Sequence, residues 1–518
     1  MSIADIAARP SGAAPSRIFL WCIAGATLVT GAATAWLYAA DGLTLSHYDA
    51  KAHLVVARRI FDSLTPGWRQ IGAVWLPLPH LLNAIPVQVD AFYRTGTSGV
   101  AISMASHVVA TTALAWLVAR ATGSRTAALA SAVVFASDPN VLYLQATPMT
   151  EPLLLALLAL GSAAVFRWLE SGGRAGTALA GWAMAGACLT RYEAWPVTAA
   201  LLGVALVALL AHGVEVRDAL HRTAGLAVYP LAAILAFLVL SRATVGEWFV
   251  TGGFYVPDNK AYGKPLVAAA SLWWGLSRVA GSVTTFAGAL GAGALLIVVA
   301  RAPHRARLLV APALAATAAL PWYAFVNGHP FRIRYMVVLV AAVAACAGLG
   351  IGLLPGRLKA IAATVLIAVA LIETPPLSAG APMVHEAQWD RPNSIGRRRV
   401  TRCLAAEFDR PRDKVLASMG SLAHYMQELA HAGFALDDFI HEGIGELWPE
   451  ALAAPRRHVR WILFEERAEG GDMLTALRSH DPAFTAGFTR ICEGGGVALY
   501  RREPTIRPAS GARDAVGD

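Results

Sequence analysis

The sequence predicts a mainly α, polytopic helical membrane protein with about 11 transmembrane helices, followed by a small C-terminal extracytoplasmic α/β domain. Three observations carry that reading. Hydrophobic residues make up 56% of the 518, and charged residues only 15%, too few to keep a soluble chain of this length hydrated. Apolar runs of roughly 20 residues, enough to cross a bilayer at 1.5 Å rise per residue, recur through the first 372 positions. From about residue 373 the composition turns to that of a soluble domain.

Residues 18–40 form the first uncharged run. Arg9 and Arg17 precede it as in a signal sequence, but it is long for a cleaved leader and many similar segments follow. It reads as an uncleaved span. Further spans fall at 99–119, 126–137, 152–168, 176–190, 196–211, 223–241, 282–300, 308–325, 335–354 and 359–372. Arg120 with Arg125, Arg167 with Arg174, Arg217 with Arg222, the Arg301–Arg305–Arg307 group and Arg357 with Lys359 mark alternate loops. The positive-inside rule puts these loops and the N-terminus in the cytoplasm, and everything after 372 outside. The expected location is a bacterial-type cytoplasmic (inner) membrane, crossed many times.

Two outer loops break the charge rule. The 41–98 loop holds Lys51, Arg58, Arg59, Arg69 and Arg94, and the 242–281 loop holds Lys260, Lys264 and Arg278, with Tyr262 between the lysines. Binding an anionic lipid head group or phosphate would explain cations kept there; ordinary solvated charge is the alternative.

Beyond the spans, 373–394 (with ETPPLSAGAP) reads as a linker, 395–505 as the α/β domain and 506–518 as a disordered tail. KVLASMG and HVRWILFEE have the pattern of buried strands, and FTRICEGGGVALYRR that of a terminal hairpin. SLAHYMQELAHA and MLTALRSH read as the intervening helices. His424, His431 and His441 lack ligand spacing and suit a helix surface. Cys403 and Cys492 both fall in this domain, where an oxidising compartment would let them pair. Cys22, Cys188 and Cys346 sit in spans as small hydrophobes. The absence of a CxxC pair, a dinucleotide fingerprint or a phosphate-binding glycine loop argues against zinc and nucleotide chemistry. The net charge of +9 comes mostly from arginines at span ends, so nucleic acid is not an expected partner.

The chemistry gathers on the outer face. In SHYDAKAHLVVARRIFDS, a helical wheel over 50–64 collects Leu54, Val56, Ala57, Ile60, Phe61 and Leu64 on one side, and Lys51, Arg58, Arg59 and Asp62 on the other. That pattern predicts an amphipathic helix lying along the membrane surface. Asp49 stands at its start with His53 one turn on, either as an N-cap or as a functional acid. GAVWLPLPHLLNAIP reads as a second interfacial segment. SDPNVLYLQATPMTEPLLL brings Asp138 and Glu151 to the same membrane face, TRYEAWP adds Arg191, Tyr192 and Glu193, and NGHPFRIRYM adds His329, Arg332, Arg334 and Tyr335. Ionisable groups at membrane level are costly and tend to mark function.

At these residues the chain resembles the GT-C superfamily of polytopic glycosyltransferases, especially bacterial relatives of protein O-mannosyltransferases and the lipid A aminoarabinose transferase. The resemblance implies transfer of a sugar from a polyprenyl-phosphate carrier to an envelope acceptor (lipid, glycan or protein) on the outer face of the cytoplasmic membrane. Asp49 matches the first-loop acid, Asp138 the second acidic position, and Arg332 to Tyr335 the arginine–tyrosine element of a late outer loop. Many relatives carry two adjacent acids in the first loop, whereas Ala50 follows Asp49 here. The adjacent pair of carboxylates that would bind a metal is therefore incomplete, so the resemblance names no certain cofactor and leaves a divalent cation open.

An acceptor hydroxyl needs a carboxylate to take its proton, a role that suits Asp49, with His53 as the alternative. The departing polyprenyl phosphate needs fixed cations, for which Arg332 and Arg334 are favoured, with Lys260 and Arg58 as helpers. Glu151, Arg191, Tyr192, Glu193, Tyr262 and Tyr335 complete the expected substrate-binding set. One base and direct displacement imply inversion. The rival readings are a lipid-linked glycan ligase or polymerase, a transporter or flippase, and a non-catalytic envelope scaffold. Charges at span ends and the lack of an internal repeat disfavour the transporter.

Overall fold

A computed structural model of the chain describes residues 15–250, 259–468 and 471–504. The expected disordered tail lies outside the described residues, as does Arg9. Two compact units are present. The first takes in the described residues of 15–61 and 67–390, the second those of 62–66 and 391–504.

In the first unit every apolar segment expected to span is helical. Among the described residues, eight helices are long and apolar enough to cross a bilayer: Arg17–Ala40, Thr97–Thr122, Glu151–Glu170, Ala194–Ala211, Val216–Val245, Ser282–Arg301, Pro303–Val326 and Arg334–Leu353. A ninth would be the pair Arg125–Ala136 and Pro139–Gln145, bent by 66°. The break has a local cause. Pro139 cannot continue a helix from Ala136, but it suits the first turn of a new one. Asp138 Oδ1 accepts the Asn140 and Val141 N–H groups at 2.9 and 3.1 Å and caps that new helix.

The two remaining expected spans account for the difference from about eleven. Thr177–Cys188 has 12 residues and reaches roughly 18 Å, short of a hydrocarbon core of about 30 Å. Gly356–Glu373 carries Arg357, Lys359 and Glu373 at its two ends, which leaves its uncharged stretch only over 360–372, shorter than the roughly 20 residues of a full span.

The helix Arg334–Leu353 is the centre of this unit, with 89% of its apolar window buried. Ser282–Arg301 meets it through glycine. A Cβ at Gly291 would lie 2.1 Å from the Cys346 carbonyl oxygen, so only a missing side chain allows this approach. Small residues at a helix contact are the usual means of close packing in a membrane.

The stretch after the first span is helical over Tyr48–Arg58, but it does not lie amphipathically on a surface. Residues Asp49 to Ala57 are all buried, Lys51 and His53 among them. The short helices Trp68–Ile71 and Leu78–Asn83 and the turns to Thr95 pack around it, so the side expected to be wet is covered as well. The large apolar residues left exposed in this loop are Phe61, Trp68, Val74, Leu81, Leu82, Ile85, Val89 and Phe92, four of which (Val74, Leu81, Leu82 and Ile85) fall in the second segment.

The 373–394 stretch is not a linker. Pro382–Ala387 is a helix whose Met383, Val384 and Ala387 join the core of the first unit, and the Met383 N–H donates to Asn140 Oδ1 at 2.9 Å. The division falls between Asp390 and Arg391.

The second unit is a five-stranded sheet in the order β2-β1-β3-β5-β4. Strands β1 (Val415–Ala417), β2 (Phe439–Ile440) and β3 (Trp461–Glu465) run parallel, while β4 (Phe488–Gly494) and β5 (Val497–Arg502) add the expected antiparallel hairpin. Helices Met419–Leu429 and Met473–His480 fall where expected. A disulfide joins Cys403 in helix Arg391–Glu407 to Cys492 in β4. His441 departs from the helix-surface reading: it is fully buried after β2 and accepts the Gly443 N–H through Nδ1 at 3.0 Å. Asp62 also departs from a solvated face, since its Oδ1 accepts the N–H groups of Leu436 and Asp437.

Candidate active site

The site starts at a helix N-terminus. His47, with extended backbone, is the N-cap of Tyr48–Arg58, and its Nδ1 accepts the Asp49 N–H at 3.0 Å. Capping is thus done by His47, and the Asp49 carboxylate remains for other work. Its Oδ2 accepts from Arg334 Nη1, and both side chains are about nine-tenths buried. Burial alone would raise the Asp49 pKa. The Arg334 guanidinium outweighs burial and holds the carboxyl well below the usual carboxylate range.

Arg191 builds a second buried ion cluster. It reaches Glu151 Oε1 at 3.0 Å, Glu193 Oε1 at 2.7 Å and Thr150 Oγ1 at 3.0 Å. Glu151 is fully buried at the first turn of its span, and Glu193 is nearly so. The two clusters lie within electrostatic reach of each other, Arg334 feeling Glu151 and Arg191 feeling Arg334. Tyr335 sits between them, its ring 5.5 Å from the Arg334 guanidinium carbon.

Residues 332–334 splay their arginines apart. Glu386 Oε2 accepts the Ile333 N–H at 2.8 Å. Arg334 turns to Asp49, whereas Arg332 lies over the Trp389 ring at 5.6 Å. Arg332 and Arg334 thus have different partners, and both lie within electrostatic reach of Tyr48.

His53 Nδ1 meets His80 Nε2 at 3.1 Å, and His80 Nδ1 meets the Leu76 carbonyl at 3.1 Å. Burial first, then the neighbouring His80, push the His53 imidazole well below its ordinary pKa. Burial, with Arg59 nearby, pushes His80 down to about 3.

Other expected site residues stand elsewhere. Asp138 is spent capping Pro139–Gln145. Arg58 pairs with Asp90 at 2.7 Å and lies 4.5 Å above the Tyr93 ring, an arrangement that staples the 41–98 loop. Tyr192 packs among Trp195, Phe237 and Phe249. Lys260 and Tyr262 are exposed; Asn259 beside them donates to the Phe325 and His329 carbonyls, bringing their segment to the NGHP turn. Among the described residues, no group of three or more His, Cys, Asp or Glu is placed to hold a metal ion.

Several residues of the site were not anticipated. Histidine is an uncommon cap, so the sequence does not mark His47; His80 lies in a segment with an interfacial pattern, and Glu386 and Trp389 in one with the composition of a linker. The apolar residues Met383, Val384 and Ala387 bracketing Glu386 were the signal that the segment is packed.

Comparison with solved structures settles the architecture. ArnT from Cupriavidus metallidurans bound to undecaprenyl phosphate superimposes with a TM-score of 0.56 over 91% of this chain and 97% of its own, at 13% identity. The chain has the GT-C fold. The apo form of the same ArnT gives a TM-score of 0.53 over 90% of this chain and 98% of its own, at 14% identity. No protein-family model and no curated protein sequence matches. At such identities the likeness is one of GT-C architecture, so the chemistry has to be argued from the residues.

Proposed function

We propose that the protein is a membrane glycosyltransferase that moves a sugar from a polyprenyl-phosphate donor to an envelope acceptor on the outer face of the cytoplasmic membrane. The observation that carries this reading is the buried Asp49–Arg334 ion pair, which joins an acid of the first outer loop to a cation at the N-terminus of the central span. Buried charges are expensive and persist where they are used. The ArnT of similar fold was solved with undecaprenyl phosphate, a lipid of the class proposed here. The Cys403–Cys492 disulfide suits an oxidising outer compartment for the C-terminal unit.

Without donor, Arg334 suppresses the basicity of Asp49. An incoming phosphodiester competes for the same guanidinium, which is well shaped to meet phosphate oxygens. As Arg334 turns to the phosphate, the Asp49 carboxylate loses part of its counter-charge and its proton affinity rises. The acceptor oxygen then attacks the anomeric carbon while its proton passes to Asp49. The bond from that carbon to the phosphate oxygen breaks, and its electron pair leaves with the polyprenyl phosphate. Arg334 stabilises that growing charge, and Arg332 supplies a further cation. A single displacement inverts the anomeric configuration.

The test is transfer in reconstituted membranes together with binding of polyprenyl phosphate. Arg334→Ala should lower turnover by roughly 10²–10³, as loss of one charge-stabilising donor does, and weaken binding of the lipid. Arg334→Lys should restore little of either, because lysine lacks the planar fork. Unchanged lipid binding in Arg334→Ala would refute this placement of the phosphate.

A further inference from the structure

Asp49 and Arg334 lie 285 residues apart in the chain, and one side chain stands behind both. Glu386, 2% exposed, projects from the helix Pro382–Ala387. Its Oε2 accepts the N–H of Ile333, the residue before Arg334, at 2.8 Å. Its Oε1 stands 3.9 Å from Nε2 of His47, which is fully buried and caps the helix that carries Asp49. Neither that Oε1 nor that Nε2 has a hydrogen-bond partner among the described residues. The helix that presents Glu386 is itself fixed. Asn140 accepts the Met383 N–H at 2.9 Å and donates to the Val279 carbonyl at 3.1 Å, and Met383, Val384 and Ala387 lie in the core.

The hydrogen bonds set the protons. His47 Nδ1 accepts the Asp49 N–H at 3.0 Å, so that nitrogen holds a lone pair and the ring proton is on Nε2. The Nε2–H and the Ile333 N–H are both donors, and Glu386 faces one with each oxygen. At 3.9 Å the His47 contact joins a carboxylate to a ring dipole and is longer than a hydrogen bond. With both groups shielded from water, it still favours the tautomer whose proton is on that side. Only a carboxylate, with two accepting oxygens, meets both donors; an amide brings one acceptor and one donor.

We propose that Glu386 is a positioning residue for sugar transfer. It holds His47 in the tautomer that caps the Asp49 helix and, through the Ile333 amide, holds the turn from which Arg334 reaches Asp49. The proposal rests on the glycosyltransferase reading above, in which Asp49 takes the acceptor proton and Arg334 meets the phosphate. Glu386 acts on neither substrate directly; it fixes base and cation relative to each other.

Glu386→Gln separates the two tasks. The amide oxygen keeps the well-made bond to Ile333, and the amide NH2 then meets the His47 Nε2–H, donor against donor. The ring must turn or move its proton to Nδ1, and either change releases the Asp49 N–H. Turnover should fall roughly tenfold, the worth of one hydrogen bond to a charged group, while KM for the donor and binding of undecaprenyl phosphate stay within about twofold. His47→Asn supplies the rescue, because asparagine caps a helix unaided. In that background Glu386→Gln should cost less than about twofold, a departure from additivity that marks the two side chains as coupled.

Transfer is measured with the glycolipid extract and envelope vesicles of the protein's own cells, prepared from a strain lacking it, to which the purified full-length protein is added. Equal losses from Glu386→Gln in the wild-type and His47→Asn backgrounds overturn the proposal. Unchanged turnover in Glu386→Gln does the same, as does a rise in KM without a fall in kcat. Binding of undecaprenyl phosphate reports folding. If Glu386→Gln does not fold, His47→Ala and His47→Asn carry the test: the alanine variant should lose about tenfold in turnover and the asparagine variant should keep it, and equal activities overturn the proposal. If wild type transfers no sugar from the extract, the glycosyltransferase reading itself falls, and this proposal falls with it.

Discussion

The two units differ in how they hold charge. In the membrane unit two ion clusters are sealed in, Asp49 with Arg334 and Arg191 with Glu151 and Glu193, all at most 14% exposed at the side chain, while Arg58–Asp90, Arg94–Asp90 and Arg222–Asp218 are wet. In the C-terminal unit most are wet, such as Arg490 with Glu466 at 40% and 25% exposure and Arg501 with Glu407 at 36% and 43%. A wet pair contributes little to stability, whereas a buried pair bears a large desolvation cost that a simple fold has no reason to accept. The C-terminal unit buries one comparable pair, Arg397 with Glu428, so the contrast is one of degree, and a graded series of substitutions can test it.

The largest effect is expected at Asp49. Asp49→Asn keeps the shape and can still accept a hydrogen bond from Arg334, but it loses the proton acceptor. Turnover should fall by roughly 10²–10⁴ while the protein still purifies folded; near-normal transfer would move the base elsewhere. Next is Arg191→Ala, which strands two buried carboxylates. Losing one partner of a buried pair typically costs about 3–5 kcal/mol, so the thermal midpoint in detergent should drop sharply. A silent Arg191→Ala would mean the cluster is hydrated.

A smaller effect concerns pH. His80 binds its proton at about 3 when folded against an ordinary value of 6.5. Between those limits the unfolded chain holds the extra proton, so stability falls as pH drops through 6.5 and levels off near 3. One such group contributes a slope of about 1.4 kcal/mol per pH unit. His80→Asn should flatten the profile relative to wild type; identical slopes would show that the ring titrates normally. Smallest of all, Arg490→Ala should change stability by no more than about 1 kcal/mol. A loss comparable to that of Arg191→Ala would erase the contrast between the units.

Much of this was legible in the sequence, for reasons that differ by element. Spans are written in composition, so all were found as helices. The count blurred where Thr177–Cys188 proved short and where Asp138–Pro139 broke a helix. Asp49, His53, Glu151, Arg191, Glu193 and Arg334 were picked out because ionisable side chains beside apolar runs are conspicuous, and the fold does gather them. What failed was anything that depends on neighbours distant in the chain. A helical wheel over 50–64 cannot know that Trp68–Ile71 and Leu78–Asn83 will cover the polar side. Nor can spacing reveal that Arg332 turns to Trp389, or that Arg58 is taken by Asp90. A proline-rich stretch such as 373–394 reads as a linker until the burial of Glu386 and Met383 is seen.

The glycine contact at the central helix has a consequence for how ligand arrival would be felt. Arg334 opens the central span, whose helix is interrupted at 338–339 and is gripped beyond that break, where Gly288 and Gly291 of the neighbouring span lie against its backbone at Val343 and Cys346. That helix cannot slide or tilt freely to follow a guanidinium drawn toward a new anion. The strain then falls on the irregular residues 327–333, where the His329 carbonyl accepts from the Asn259 amide, the Ile333 N–H donates to Glu386, Phe331 packs on Trp274 and Arg332 lies over Trp389. Amide hydrogen exchange should accordingly split this short region in two. The helix beyond Arg334 should stay protected with or without donor lipid, while the NGHPFRI segment changes its exchange rate on binding and acts as the protein's own reporter.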